Sequence, residues 1–212
     1  VKIISFLIVA ALFFGVFGVS FTQESVEQYL MSLKEPKEAD YVRLLYEGSR
    51  ENKLLAISKL IEAGARSEET KEAFVFGLQQ GTIFVQRQAG KVVNDYWDVR
   101  AMSAKALGEI GDPGILEQLH QSLRYDPDVY VRSAVAAAIG KIGETQSIKE
   151  LSRAIETSRA GSTEDKLILA CVIALGEIGD KEGFVPLLEV IRGKYNRQIK
   201  MAARDSLKKI KW

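Results

Sequence analysis

Val99-Arg100-Ala101-Met102-Ser103-Ala104-Lys105-Ala106-Leu107-Gly108-Glu109-Ile110-Gly111 is the stretch that decides the fold. It returns as Val131-Arg-Ser-Ala-Val-Ala-Ala-Ala-Ile-Gly-Lys-Ile-Gly143 and as Leu167-Ile-Leu-Ala-Cys-Val-Ile-Ala-Leu-Gly-Glu-Ile-Gly179. Weaker copies run from Asn52 to Gly64 and from Ile199 to Lys211. The starts of successive copies are 47, 32, 36 and 32 residues apart. Repetition at this period marks an array in which each unit buries its apolar face against the next.

Positions 1, 5, 8, 9 and 12 of each copy are mostly apolar or small, as in Val99, Ser103, Ala106, Leu107 and Ile110. That spacing describes one face of an α-helix. Ala and Ser in the middle of the face let a neighbouring helix come close. Position 9 is Leu60, Leu107, Ile139, Leu175 and Leu207, apolar throughout. Gly64, Gly111, Gly143 and Gly179 close the copies, and glycine readily adopts the left-handed conformation that ends a helix. Asp112-Pro113 and Asp180 read as the start of a second helix, with Asp as N-cap. Its apolar stripe is Ile115, Leu116, Leu119 and Leu123 in one unit, Ile148, Leu151 and Ile155 in the next, and Val185, Leu188 and Ile191 in the third. Asp126-Pro127 opens the following first helix, with Asn94 and Ser162 in the equivalent place elsewhere.

Two short helices enclose no core alone, but a side-by-side stack does. The expected fold is all-α, an α-α superhelix. The motif Val-Arg-x-x-x-Ala-x-Ala-Leu-Gly-x-Ile-Gly-Asp-Pro at 99–113 resembles the HEAT family, more narrowly its short bacterial subtype first described in phycobilin lyases. The resemblance covers roughly residues 52–210 and implies an armadillo-like solenoid. It does not imply one function, because such repeats serve enzymes and adaptors alike.

The domain reading has three parts. Residues 1–20 carry Lys2 and an apolar run from Ile3 to Val19, with Gly18 and Ser20 at a spacing a signal peptidase accepts. This is a cleaved signal peptide or an uncleaved N-terminal anchor, since 17 residues is near the lower limit of a span. Either reading makes the protein exported, periplasmic or extracellular, with residues 3–19 as anchor in the second case. Residues 21–51 form capping helices, Glu24–Lys34 and Lys37–Ser49, separated by Pro36; Val42, Leu45 and Tyr46 face inward from the second. Residues 52–212 are the repeat domain. The long first offset leaves an insertion at 81–93, either a β-hairpin over about 82–93 centred on Ala89-Gly90 or an extra helix.

One histidine, His120, and one cysteine, Cys171, exclude an intramolecular disulfide and the usual Cys/His zinc sites. His120 reads as a flank residue with an ordinary pKa, and Cys171 as packing at a small fifth position. Arg100 and Arg132 recur at position 2 and are expected to pair between repeats with acids such as Asp98 and Asp128, in a ladder that Ile168 interrupts. No catalytic set assembles, so the expectation is a non-catalytic protein with no cofactor and no metal. The resembling hydroxylases need several His-Glu pairs, which one histidine cannot supply.

Three functional readings stay open. The first is a scaffold or adaptor for another protein, using Phe84, Arg87, Lys91, Tyr96 and Trp97 at the insertion edge. Glu117, Gln121, Lys149, Glu150 and Arg153 on the second helices would complete its surface. The second is a lyase-like enzyme or small-ligand carrier using the concave groove. The third is attachment to an anionic surface through Arg192, Lys194, Arg197, Lys200 and Lys208. The 192–212 stretch holds eight basic residues and one acid, inside a chain of 29 basic and 28 acidic residues. Export argues against nucleic acid, and a membrane partner follows if the leader is uncleaved.

Overall fold

The computed structural model describes residues 36–212. The leader and the Glu24–Lys34 helix lie outside them. The elements are α1 (Glu38–Glu47), α2 (Arg50–Glu62), α3 (Glu68–Leu78), β1 (Arg87–Gln88), β2 (Lys91–Val92), α4 (Trp97–Ile110), α5 (Leu116–Tyr125), α6 (Val129–Ile142), α7 (Ile148–Thr157), α8 (Asp165–Ile178), α9 (Phe184–Arg192) and α10 (Arg197–Leu207). The first helices of the repeat are α2, α4, α6, α8 and α10. The second helices are α3, α5, α7 and α9.

The first helices form a continuous row, α4 against α6, α6 against α8 and α8 against α10. Position 9 lies at its centre: Leu60, Leu107, Ile139 and Leu175 are at most 1% exposed. Burying each contributes about 1.5–3 kcal/mol. The terminal Leu207 has no following repeat and is only half-buried. Each second helix packs its backbone most extensively against the first helix that follows it, α3 to α4, α5 to α6, α7 to α8 and α9 to α10. The pairing unit is therefore offset by one helix from the sequence repeat, and α1 supplies the partner of α2.

Position 10 sets the spacing of the row. A Cβ on Gly108 would stand 2.7 Å from Ala138 Cα, one on Gly140 2.7 Å from Ala174 Cα, and one on Gly176 2.7 Å from Ser206 Cα. Each glycine thus presses on position 8 of the next copy. In α2 the same position is Ile61, and α2 packs less extensively on α4 than the later first helices do on each other.

Second helices begin differently from the expectation. Asp112 and Asp180 do cap, each accepting a backbone N–H at 2.8 Å, but they cap a short 3-10 turn (Pro113–Ile115, Lys181–Gly183) that precedes the α-helix. The first helices also depart from it. Asp128, not Asp126, caps α6, accepting from Tyr130 N at 2.7 Å and Val131 N at 3.3 Å. Glu164, not Ser162, is the N-cap residue of α8, and Tyr96, not Asn94, that of α4.

The arginine ladder exists with other partners. Arg50 pairs with Asp98 at 2.7 Å, Arg100 with Asp126 at 2.8 Å and Arg132 with Glu164 at 2.8 Å. Each guanidinium reaches the segment that opens the next first helix, so the links run between repeats as expected, with Asp126 and Glu164 as the acids for Arg100 and Arg132. In α1, Leu44 and Leu45 are buried, while Tyr46 is 39% exposed and lies on the Phe76 ring rather than in the core. Lys53 takes up the end of α1, donating to the carbonyls of Leu45 (2.6 Å) and Tyr46 (2.8 Å). Burial pushes its pKa down to about 8.

Glu164 gives the ladder a pH signature. The Arg159 backbone N–H (2.7 Å) and the Arg132 guanidinium hold its carboxyl below the ordinary carboxylate value. A depressed carboxyl contributes stability above its unfolded pKa and loses it as pH falls through the folded one. Glu164→Gln is expected to destabilise the protein at pH 7, and the gap to wild type to close below about pH 4. Urea denaturation across that range measures it; a gap independent of pH would contradict the pairing.

Candidate functional site

The insertion is a β-hairpin, as its β-branched content suggested. β1 and β2 pair antiparallel, Arg87 opposite Val92 and Gln88 opposite Lys91. Ala89 and Gly90 close it with φ of 48° and 78°. Positive φ at both central residues is the tight turn whose twist suits a hairpin.

Its base is held by buried polar groups. Asn94 donates to the Phe84 carbonyl (2.6 Å) and to Gln80 Oε1 (3.3 Å), and accepts from Gln86 N (2.8 Å). Arg100, 1% exposed, donates to the Gln80 carbonyl (3.0 Å), Asp95 (2.6 Å) and both oxygens of Asp126. One side chain therefore ties both ends of the insertion to the segment after α5. Burial lifts the Asp126 carboxyl above its ordinary value despite that partner.

The second helices are separated by a series of open grooves. The groove of α3 and α5 has two lobes. One, of about 430 Å³, is lined by Tyr46, Phe76, Phe84 and Lys71 among others. The other, of about 260 Å³, is lined by Ile83, Gln118, Gln121 and Tyr125 among others. A groove of about 250 Å³ between α5 and α7 holds Arg124, Arg132, Glu150 and Arg153. One of about 280 Å³ between α7 and α9 holds Tyr195 and Lys194.

The sequence candidates divide among these places. Phe84 lies in the first lobe, packed on Phe76 at 5.0 Å, which packs on Tyr46 at 4.8 Å. Gln121 lines the second lobe, and Glu150 and Arg153 the α5/α7 groove. Arg87 and Lys91 are exposed on the hairpin, and Lys149 and Glu117 on their helices. Tyr96 is half-buried against the core. Trp97 packs on Tyr130 at 5.7 Å, at the start of the first helices and in none of these grooves. Arg192, Lys194 and Arg197 are exposed and Lys200 half-exposed, whereas Lys208 is paired with Asp205 at 2.7 Å.

The reading of His120 is corrected. The ring is 8% exposed, its Nε2 is 2.9 Å from Ser147 Oγ, and burial lowers its pKa. It links α5 to the turn before α7. Cys171 is fully buried, and burial pushes its thiol up to about 12. Gln118, Tyr125, Arg124 and Arg132 line grooves and were not among the sequence candidates. The spacing 118/121/125 beside the buried 116/119/123 stripe was the available signal.

Among the described residues no group of three or more His, Cys, Asp or Glu could hold a metal ion. No helix among them is long and apolar enough to cross a membrane.

Comparison with known proteins follows the architecture. Residues 92–164 match the family model of HEAT repeats. A solved structure, the complex of CpcE and CpcF of phycocyanin lyase from Nostoc sp. PCC7120, has a chain that superposes with a TM-score of 0.67 at 18% identity. The match covers 84% of this chain and 67% of that one. No curated protein sequence matches the chain. The protein carries HEAT repeats and folds as a HEAT-like helical solenoid.

Arg100 is the test of how the insertion is held. Arg100→Met strands Asp126, whose side chain is 1% exposed. Breaking one side of a buried pair costs about 3–5 kcal/mol. Urea denaturation should show that loss, and hydrogen exchange should show amides 81–95 losing protection. A loss below about 1 kcal/mol would remove Arg100 from this role.

Proposed function

We propose that this HEAT-repeat solenoid is a non-catalytic scaffold or adaptor that binds another protein across its second-helix grooves and the adjoining hairpin. One observation carries the reading. Large apolar and aromatic groups are left exposed on one face: Ile83 at 49%, Phe84 at 44% and Tyr125 at 74%. Arginine and glutamine side chains line the grooves beside them. Exposed aromatics flanked by polar groups are the usual anchors of a protein interface. The similar phycocyanin lyase structure is itself a complex of two subunits, which supports a binding role for such a fold.

We further propose export, on the strength of the Ile3–Val19 run and the Gly18–Ser20 spacing. Two readings stand beside the scaffold. A lyase-like catalyst or ligand carrier is suggested by the same fold likeness. Attachment to an anionic surface is suggested by the exposed Arg192, Lys194 and Arg197.

The hairpin can be deleted with a short join, although this takes the Phe84 and Gln86 partners from Asn94. A Cβ on Gly81 would lie 2.6 Å from Asp95 Cα and 2.8 Å from the Asn94 carbonyl, so the two ends of the insertion already meet. Affinity capture from the envelope fraction would compare wild type, a deletion of Thr82–Val93, and Tyr125→Ala. Proteins retained by wild type should be lost from Tyr125→Ala and reduced by the deletion, with helix content unchanged by circular dichroism. Identical retention by all three would contradict the scaffold reading for this face.

A further inference from the structure

The larger lobe of the α3/α5 groove combines aromatic rings with an unpaired carboxylate. One face of α3 supplies much of its wall. Glu68, Glu72, Phe76 and Gln79 recur there at three- and four-residue spacing, so a carboxylate stands one helical turn from an aromatic ring. Tyr46 and Phe84 flank that ring, with centroids 4.8 and 5.0 Å from it and planes tilted by 43° at each step. Tyr46 is 39% and Phe84 44% exposed, so both rings are within reach of a ligand.

The charge of the lobe is lopsided. Three carboxylates line it, Glu68, Glu72 and Asp112, against one ammonium, Lys71. Lys71 is engaged by two of them, at 2.6 Å from Glu68 and 2.5 Å from Asp112. Glu72 is exposed and has no ion pair among the described residues. Its carboxylate lies close enough to the Tyr46 phenol to join burial in raising that group's pKa. Lys53 Nζ, 5.4 Å from the Phe76 centroid, is turned to the Leu45 and Tyr46 carbonyls and does not line the lobe.

Accessible rings and an unpaired carboxylate in one cavity suit one kind of guest. The face of an aromatic ring is the negative part of its quadrupole and attracts a cation. A neutral apolar guest would desolvate Glu72 without compensating it, and an anion would be repelled. An arginine side chain meets both features, since its planar guanidinium stacks on a ring and forks to a carboxylate. The surroundings favour a guanidinium that belongs to a chain. Gln79 and Gln118 line both lobes, and the second lobe adds the exposed Ile83 and Tyr125 for flanking residues.

We infer that the larger lobe of the α3/α5 groove is a docking site for an arginine side chain of a partner protein, its guanidinium stacked among Tyr46, Phe76 and Phe84 and paired with Glu72. The inference rests on the scaffold reading and names the chemistry of the partner.

The test is fluorescence anisotropy on the full chain with a dye-labelled, end-capped peptide, Gly-Ser-Leu-Arg-Leu-Gly-Ser. A control peptide carries citrulline, a neutral isostere, in place of arginine. Methylguanidinium chloride serves as competitor, against sodium chloride at the same concentration. The arginine peptide should bind at least tenfold more tightly than the control. Glu72→Gln breaks no hydrogen bond or ion pair among the described residues, and should weaken the arginine peptide at least fivefold while leaving the control unchanged. Phe84→Leu keeps an apolar group on the hairpin but removes the ring, and should weaken the arginine peptide comparably. Methylguanidinium should compete only at far higher concentration than the peptide. Equal binding of the two peptides, or insensitivity to either substitution, would overturn the site. Binding of methylguanidinium as tight as that of the peptide would overturn the partner-protein assignment in favour of a small organic cation. If envelope proteins are lost from Tyr125→Ala but kept by Glu72→Gln and Phe84→Leu, the scaffold reading stands and this inference falls.

Discussion

The close contact between successive first helices is the constraint on which the rest of the structure depends. Gly108, Gly140 and Gly176 each lie against the backbone of the next first helix, with no room for a Cβ. In the middle of a helix glycine costs about 0.5–1 kcal/mol relative to alanine. That cost is offset by the close approach of the two backbones, beside which Leu107, Ile139 and Leu175 are buried. Where the glycine is missing, at Ile61 in α2, the first helices pack on each other less extensively. The row is thus built on glycine contacts from α4 to α10 and on none at α2.

Tight packing on one row has a consequence for the other. The second helices pack against the first helix that follows and make few direct contacts with each other. What separates them is a row of grooves rather than a sealed core, lined by positions beside each buried stripe. The polar network at Arg100 fixes the hairpin at the edge of the first of these grooves, where Phe84 covers Phe76. The charge links Arg50–Asp98, Arg100–Asp126 and Arg132–Glu164 join each repeat to the next.

Much of this was legible in the sequence, because a repeated period of apolar positions leaves few alternatives. The buried Leu107, Ile139 and Leu175, the left-handed Gly111, Gly143 and Gly179 and the Ala89-Gly90 hairpin all follow from local pattern. Three kinds of feature did not. The contact at the position 10 glycines did not, since only the neighbouring helix reveals it. That the arginines link repeats was legible, but which acid answers each was not, because Asp126 and Glu164 lie at different places in the segments that open the next first helices. His120 looked like a flank residue because the turn that covers it, at Ser147, comes from the next unit. Of the site, the exposed hairpin and the second-helix face were legible, but the grouping of Arg124, Arg132 and Arg153 around one groove was not. Its members come from two second helices and one first helix, and no local period connects them.

The account turns on the glycine contact, and Gly108→Ala tests it most directly. Its added Cβ would meet Ala138 Cα at 2.7 Å and Ala138 Cβ at 2.9 Å. Helix propensity alone predicts a gain of about 0.5–1 kcal/mol for this change. Forcing the helices apart predicts a net loss of about 1–3 kcal/mol. Thermal unfolding decides between them by sign. A Tm lowered by several degrees is what the close contact requires; an unchanged or raised Tm would contradict it.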